Sequence, residues 1–132
     1  MIEKIDHIGI AVESLTETVP VYRDLLGLDF LGEEEVPDQK VRVAKFAAGD
    51  VHIELLEPTA EDSPIAGFLE RRGPGIHHIA YGVDDVEKTI EEMQSAGARM
   101  IDQSPRTGAG GIKIAFAHPR STAKVLTEFC EG

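Results

Sequence analysis

The feature that most constrains the fold of this chain is an internal duplication. Residues 6–12 read Asp-His-Ile-Gly-Ile-Ala-Val, and residues 77–83 read His-His-Ile-Ala-Tyr-Gly-Val. When His7 is aligned with His78, both segments give an apolar, β-branched strand with small residues at alternate positions. The chain is therefore predicted to contain two related modules.

An amphipathic helix is predicted after each of these strands. The first spans about 14–26 and the second about 86–96, with Gly27 and Gly97 as the residues that stop them. Pro20 lies inside the first pattern, so this helix is expected to start late or to kink there.

Three strand-like segments follow each helix. They lie at about 28–35, 40–48, 51–57, 98–102, 112–118 and 123–130. Each module is therefore βαβββ, which predicts an α+β fold in which two tandem modules form one curved mixed-sheet domain with a shared metal trough. Module one spans about 4–57, a linker with a short helix near 65–71 spans about 58–74, and module two spans about 75–131. Neither half has enough core to stand alone, so residues 1–132 are predicted to be a single domain.

A histidine and a glutamate recur at equivalent places in the two modules. His7 and His78 open the first strand of each module, and Glu54 and Glu128 lie on the fourth. A lone strand histidine is usually a core or surface residue, and a lone strand glutamate is usually solvated. The repetition favours a functional role instead, because four such side chains converge if each sheet curls. His7, Glu54, His78 and Glu128 are therefore predicted to be metal ligands.

The donor types indicate which metal could bind. Neutral imidazoles together with carboxylates suit one borderline-to-hard divalent ion per chain. Co²⁺ is the first expectation, followed by Mn²⁺, Ni²⁺, Zn²⁺ and, less comfortably, Mg²⁺. Four protein ligands around an octahedral ion leave two adjacent positions for a substrate with two neighbouring oxygens. Such an ion is a Lewis acid that stabilises an enolate.

Three other potential ligands are weaker candidates. His77 is predicted to lie on the opposite face of the strand from His78, because side chains alternate along a strand. His52 shares a face with Glu54 but has no counterpart in the second module. Cys130 shares a face with Glu128, and burial as a small apolar group is its expected role.

The charge balance limits the partners of the protein. The chain carries 13 basic and 24 acidic residues, a net charge of −11, which disfavours nucleic acid and anionic membranes. An anionic ligand would therefore need a local cluster of basic residues. The candidates are Arg71, Arg72, Lys113, Arg120 and Lys124, and the alternative for each is that it belongs to the ordinary solvated surface.

A single cysteine and an N-terminal segment without a secretory pattern favour a cytoplasmic location.

Several local motifs resemble a known family. They are Ile5-Asp6-His7-Ile8-Gly9, Glu54-Leu55-Leu56-Glu57-Pro58, Asp62-Ser63-Pro64-Ile65-Ala66-Gly67, Gly75-Ile76-His77-His78, Gly108-Ala109-Gly110-Gly111 and His118-Pro119-Arg120-Ser121 leading to Glu128. Over nearly the whole chain, they are similar to the glyoxalase/bleomycin-resistance/dioxygenase superfamily and, within it, to the methylmalonyl-CoA epimerase family.

This resemblance implies an isomerase that interconverts (2R)- and (2S)-methylmalonyl-CoA through a metal-stabilised enolate. It places His7, His78 and Glu128 at metal-ligand positions and Glu54 at the fourth, where some members carry glutamine. An additional catalytic carboxylate found in some epimerases would fall at Val43, so Glu54 becomes the nearest candidate for a second base beside Glu128. The resemblance also implies an acyl-CoA substrate and a homodimer.

Two alternatives remain open from the residues alone. A lyase of the glyoxalase I type uses the same four ligands and also moves a proton, so the ligands do not distinguish it. A non-catalytic small-molecule-binding protein of the same fold needs no metal, so metal content would separate it from an enzyme. A ring-cleaving dioxygenase is disfavoured, because it uses a three-ligand iron site in a longer chain.

Overall fold

The computed structural model describes residues 2–132, and this part of the chain follows the element order of two βαβββ modules. The first module contains β1 (Ile2–Ala11), α1 (Leu15–Pro20), β2 (Asp29–Val36), β3 (Val41–Ala48) and β4 (Val51–Pro58). After α2 (Pro64–Arg72), the second contains β5 (Gly75–Val83), α3 (Val86–Ser95), β6 (Arg106–Thr107), β7 (Lys113–Ala117) and β8 (Thr127–Glu131). The predicted α+β class is confirmed.

The described chain divides into two compact units. One is His7–His77, and the other combines residues 2–6 with His78–Gly132. The division falls inside β1, so the first residues of this strand belong with the second module. The single domain over residues 1–132 and its shared trough stay predictions.

In the unit His7–His77, the strands lie in the order β2-β3-β4-β1. β2, β3 and β4 form an antiparallel meander, whereas β1 runs parallel to β4. The turn between β3 and β4 uses Gly49 at φ +64°, a left-handed conformation that glycine adopts without strain. A parallel pair requires a long crossover, and here α1, β2 and β3 form the connection between its two strands.

The second unit repeats this pairing scheme. Its strands lie in the order β5-β8-β7-β6, with β5 parallel to β8 and the other neighbours antiparallel. The duplication read from the sequence is thus present in the strand topology.

A helix covers one face of each four-stranded sheet. Apolar side chains of the helix and of every second strand residue form each core. The buried cluster of the first unit contains Val12, Leu15, Val19, Ala44, Phe46 and Leu55. That of the second contains Val83, Val86, Ile90, Met100, Ala115, Ala117 and Phe129. Residues next to these along a strand therefore project from the opposite face.

A glutamate near the end of each fourth strand caps the helix of its own module. Glu57 Oε1 accepts a hydrogen bond from the Leu15 N–H at 2.8 Å, and Glu131 Oε2 accepts one from the Val86 N–H at 2.7 Å. Both carboxylates lie where a helix leaves backbone N–H groups without intrahelical partners and carries partial positive charge. This contact joins the fourth strand to the helix, and Glu-x-x-Glu is its signature in both modules.

The predicted strand at 98–102 is wrong. Only an isolated bridge between Met100 and Ala117 forms there, and the ladder pairs Arg106–Thr107 with β7 instead. The physical reason is the side chain of Asp102, which accepts the Phe116 N–H at 2.8 Å and so replaces a backbone partner. Arg106 Nε lies 3.0 Å from Asp102 Oδ1 and balances this buried carboxylate.

Two other boundaries differ from those predicted. The strand expected at 123–130 begins only at Thr127, because Ala123 and Lys124 adopt φ values of +56° and +71° in a turn. The helix expected at 14–26 is α-helical only to Pro20 and continues as a π-helical turn over Val21–Leu25. Pro20, which has no N–H to donate to the regular ladder, lies at the junction between the two helical forms.

The segment between the modules is anchored at its start. The ion pair between Lys40 and Asp62 lowers the pKa of the Asp62 carboxyl, chiefly through the hydrogen bond from the ammonium group. Ser63 Oγ then accepts the Ile65 N–H at 3.1 Å and caps α2. Within residues 2–132, no helix combines the length and apolar character needed to cross a bilayer.

Candidate functional site

His78 and Glu128 form a close pair in the second unit. They lie on β5 and β8, which are hydrogen-bonded neighbours with Ala80 opposite Glu128. His78 Nε2 is 3.1 Å from Glu128 Oε1, and the two residues are only 5% and 4% exposed. Both offer ligand atoms close enough to hold one metal ion.

His7 and Glu54 form the corresponding pair in the first unit. They lie on β1 and β4, where Gly9 is opposite Glu54. His7 Nδ1 is 3.5 Å from Glu54 Oε2, and both residues are at least 95% buried. This separation is at the upper limit for a hydrogen bond. It also suits two atoms that each give a lone pair to the same metal ion.

In each unit, the pair lies on the sheet face that the helix does not cover. Ile53 and Leu55 belong to the helix-side cluster of the first unit, so Glu54 between them points the other way. Phe129 belongs to the helix-side cluster of the second unit, so its neighbour Glu128 also points to the opposite face.

The burial of these carboxylates points to a positive partner. Removing a carboxylate from water costs several kcal/mol unless it is paired or coordinated. Asp102 has such a partner in Arg106. Glu54 and Glu128 each lie beside an imidazole, which is also a metal ligand. The donor chemistry of nitrogen and carboxylate oxygen therefore fits a divalent cation.

Phe116 supports the histidine of the second pair. Its ring lies edge-on to His78, with 5.5 Å between the centroids, and it is opposite Glu128 in the β7–β8 ladder. Asp102 holds the Phe116 backbone, and Arg106 lies over the Phe116 ring at 5.8 Å. These contacts restrict the orientation of a prospective ligand, and the sequence analysis did not identify them.

The three weaker candidates for metal ligands, His77, Cys130 and His52, differ in their surroundings. The His77 ring packs edge-on against Phe68 at 5.1 Å, in keeping with its assignment to the other face. Cys130 is 2% exposed, and its thiol contacts the Tyr81 carbonyl oxygen at 3.6 Å. His52 is half-buried opposite His7.

The basic candidates for a substrate anion are all exposed. Lys113 is engaged, because its Nζ lies 3.0 Å from Glu87 Oε1 and the carboxylate raises the pKa of the ammonium group. The guanidinium of Arg72 lies over the Phe68 ring at 5.8 Å. Arg71, Arg120 and Lys124 are exposed as well.

A basic residue that the sequence analysis missed lies beside Glu54. Lys45 on β3 is opposite Glu54 in the β3–β4 ladder, and its Nζ is 3.9 Å from Glu54 Oε2. Val43, two residues earlier, is buried and opposite Leu56. Strand alternation from Val43 was the signal that could have identified Lys45 as a residue of this face.

Comparisons with known proteins agree with the resemblance found in the sequence. The model of the glyoxalase/bleomycin resistance protein/dioxygenase superfamily matches residues 6–116. The uncharacterized protein YqjC of Bacillus subtilis is 47% identical, over 97% of this chain and 91% of its own. The ethylmalonyl-CoA/methylmalonyl-CoA epimerase of Cereibacter sphaeroides is 38% identical, over 97% of both chains.

A solved structure is similar over the full length. It is a methylmalonyl-CoA epimerase in complex with methylmalonyl-CoA and NH₄⁺, with 37% identity and a TM-score of 0.96. The match covers 100% of this chain and 96% of that one.

Proposed function

The chain belongs to the glyoxalase/bleomycin resistance protein/dioxygenase superfamily, and we propose that, within it, this protein is an isomerase that interconverts (2R)- and (2S)-methylmalonyl-CoA. The observation that carries the proposal is its full-length similarity to an epimerase whose structure contains methylmalonyl-CoA. The substrate is thus an acyl-CoA whose acyl group bears a carboxylate.

The proposed ligands of one divalent ion per chain are His7, Glu54, His78 and Glu128. Two observations support this set: each module buries one imidazole beside one carboxylate, and each pair lies on the face away from the helix. Two carboxylates and two neutral imidazoles carry a charge of −2, which a divalent ion neutralises. Co²⁺ is the proposed ion, with Mn²⁺, Ni²⁺, Zn²⁺ and Mg²⁺ as alternatives. When bound, the ion would supply Lewis-acid stabilisation of the negative charge that develops on the substrate.

The proposed acid/base groups are the carboxylates of Glu54 and Glu128. The carboxylate of one glutamate takes the α-proton, and the electrons of the C–H bond move into the thioester to form an enolate. The other glutamate, which has first taken a proton from solvent, gives that proton to the opposite face. Inversion needs a group on each face of the α-carbon. Of the carboxylates related by the duplication, Glu54 and Glu128 lie on the sheet face away from the helices, whereas Glu57 and Glu131 cap the helices. Since a carboxylate is a weak base for a thioester α-proton, proton transfer must be coupled to strong stabilisation of the enolate.

We also propose residues that contact the CoA tail, an oligomeric state and a cellular location. Exposed basic residues such as Arg71, Arg72, Arg120 and Lys124 are candidates for contacts with the phosphates of the CoA tail. A homodimer and a cytoplasmic location are proposed on the resemblance and on the single cysteine.

The proposal is tested by comparing two substrates. The purified protein is incubated with one stereoisomer of methylmalonyl-CoA and, separately, with the hemithioacetal of methylglyoxal and glutathione. We expect inversion of the CoA ester and no formation of lactoylglutathione. The reverse result would make the chain a lyase of the glyoxalase I type, and binding without turnover would make it a binding protein.

A further inference from the structure

Lys45 lies on the sheet face that carries Glu54, one of the proposed catalytic residues. In the sheet of the first unit it is opposite Glu54 on one side and Gly32 on the other. Its neighbours Ala44 and Phe46 are buried in the helix-side cluster, so the Lys45 side chain projects from the same face as Glu54. Its Nζ lies 3.9 Å from Glu54 Oε2.

There is space beside this ammonium group. A cavity of about 140 Å³ is lined by Leu31, Gly32, Glu33, Glu34, Val43 and Lys45. Gly32 follows a register shift in the β2–β3 ladder and has a φ of +116°, and a Cβ added there would meet no atom within 4 Å. The Lys45 side chain is 28% exposed, compared with 6% for Glu54, so its end is accessible to a small ligand.

Two acidic residues line this cavity together with Lys45. Glu33 is paired with Arg42, whose Nε lies 3.1 Å from Glu33 Oε1. Glu34 is exposed, so solvent and salt weaken its effect on a bound anion.

The duplication shows that the fold does not require a charge at this position. The equivalent residue of the second module is Phe116, which is opposite Glu128 as Lys45 is opposite Glu54. Phe116 is 7% exposed and packs on His78. One module therefore places an apolar ring where the other places an ammonium group, and this difference calls for an explanation in terms of function.

We propose that Lys45 binds the free carboxylate of the acyl group and thereby selects malonyl-type thioesters over simple acyl thioesters. This inference rests on the proposed function. If Glu54 ligates a divalent cation, Lys45 lies close to a second positive charge, and an arriving anion relieves the repulsion between them. A lysine ammonium has three donors, so it can contact Glu54 and a substrate carboxylate together.

The test is a comparison of Lys45→Met with the wild type, using two CoA esters that differ only in the carboxylate. The dissociation constants of malonyl-CoA and acetyl-CoA are measured by calorimetry on metal-loaded protein, with metal content and thermal unfolding determined for each variant. We expect Lys45→Met to weaken malonyl-CoA binding by about tenfold or more, the usual size of a hydrogen bond to a charged group. Acetyl-CoA binding should change less than about twofold, and Lys45→Arg should restore much of the malonyl-CoA affinity.

Lys40→Met is the matched control. It removes one positive charge just before the same strand, at a residue that pairs with Asp62 and does not line the cavity. We expect it to leave both dissociation constants unchanged. A loss that is equal for the two esters, or equal in Lys40→Met, overturns the role of Lys45 alone. Wild-type protein that binds neither malonyl-CoA nor methylmalonyl-CoA overturns the proposed function, and the inference with it.

Discussion

The Nε2 atom of His78 lies 3.1 Å from Oε1 of Glu128, and both residues are almost completely buried. Two lone-pair donors held this closely, away from water, are arranged as ligands are around a cation. We predict that the purified protein carries about one divalent ion per chain and that His78→Ala or His7→Ala loses it. Elemental analysis of dialysed protein measures this directly.

His77→Ala is the control for this prediction. His77 neighbours His78 in the chain, but its ring packs on Phe68, so the variant should keep its metal. Equal metal loss in His77→Ala would show that the His78 effect reflects damage to β5. Metal-free wild type would contradict the assignment of the ligands.

A second prediction concerns the α-proton. In an inversion by two glutamates, the proton that reaches the α-carbon comes from the second glutamate, which has taken it from solvent, and not from the substrate. Turnover of methylmalonyl-CoA in D₂O should therefore place one deuterium at the α-position of the product, which mass spectrometry detects. Inversion without label would require a shielded proton and would argue against two separate acid/base groups.

A third prediction separates the roles of the two glutamates. Glu54→Gln keeps a neutral oxygen ligand and should retain metal, yet it should slow epimerisation by at least about 10²-fold through loss of a positioned base. It should still allow one stereoisomer to exchange its α-proton in D₂O. Glu128→Gln should show the opposite stereochemical preference. If Glu54→Gln epimerises at the wild-type rate with metal bound, Glu54 is a ligand only.

A fourth prediction tests the helix caps found in both modules. Glu131→Ala removes the acceptor of the Val86 N–H at the start of α3 and should lower the free energy of unfolding by about 1–2 kcal/mol. Glu131→Gln keeps an acceptor oxygen and should cost less. Chemical denaturation measures both, with Glu92→Ala on the exposed side of α3 as the control. No difference between Glu131→Ala and the control would show that the contact contributes nothing to stability.

Much of the fold could be predicted from local sequence patterns. The repeated strand motif, the helix before Gly97 and the linker helix all follow from periodicity and stop signals, and each is present in the structure. The failures depend on individual side chains and backbone angles. Asp102 replaces a backbone partner of Phe116, and Ala123 and Lys124 adopt positive φ, which neither residue type favours.

The candidate site shows the same limit. The duplication in the sequence points to His7, Glu54, His78 and Glu128, because equivalent residues of two modules can be compared directly. Lys45 was missed because its counterpart is Phe116, so the two modules differ there. Comparison of the modules therefore could not reveal it, and alternation along the strand from Val43 was the remaining signal in the sequence.

The most direct test of the account is a coupled assay that starts from (2S)-methylmalonyl-CoA, with a second enzyme that consumes only the (2R) isomer. The protein should support turnover, lose it when a chelator removes the metal, and regain it when Co²⁺ is added. Absence of turnover with metal-loaded protein, or turnover at an undiminished rate in metal-free protein, would contradict the proposal that this chain is a metal-dependent epimerase.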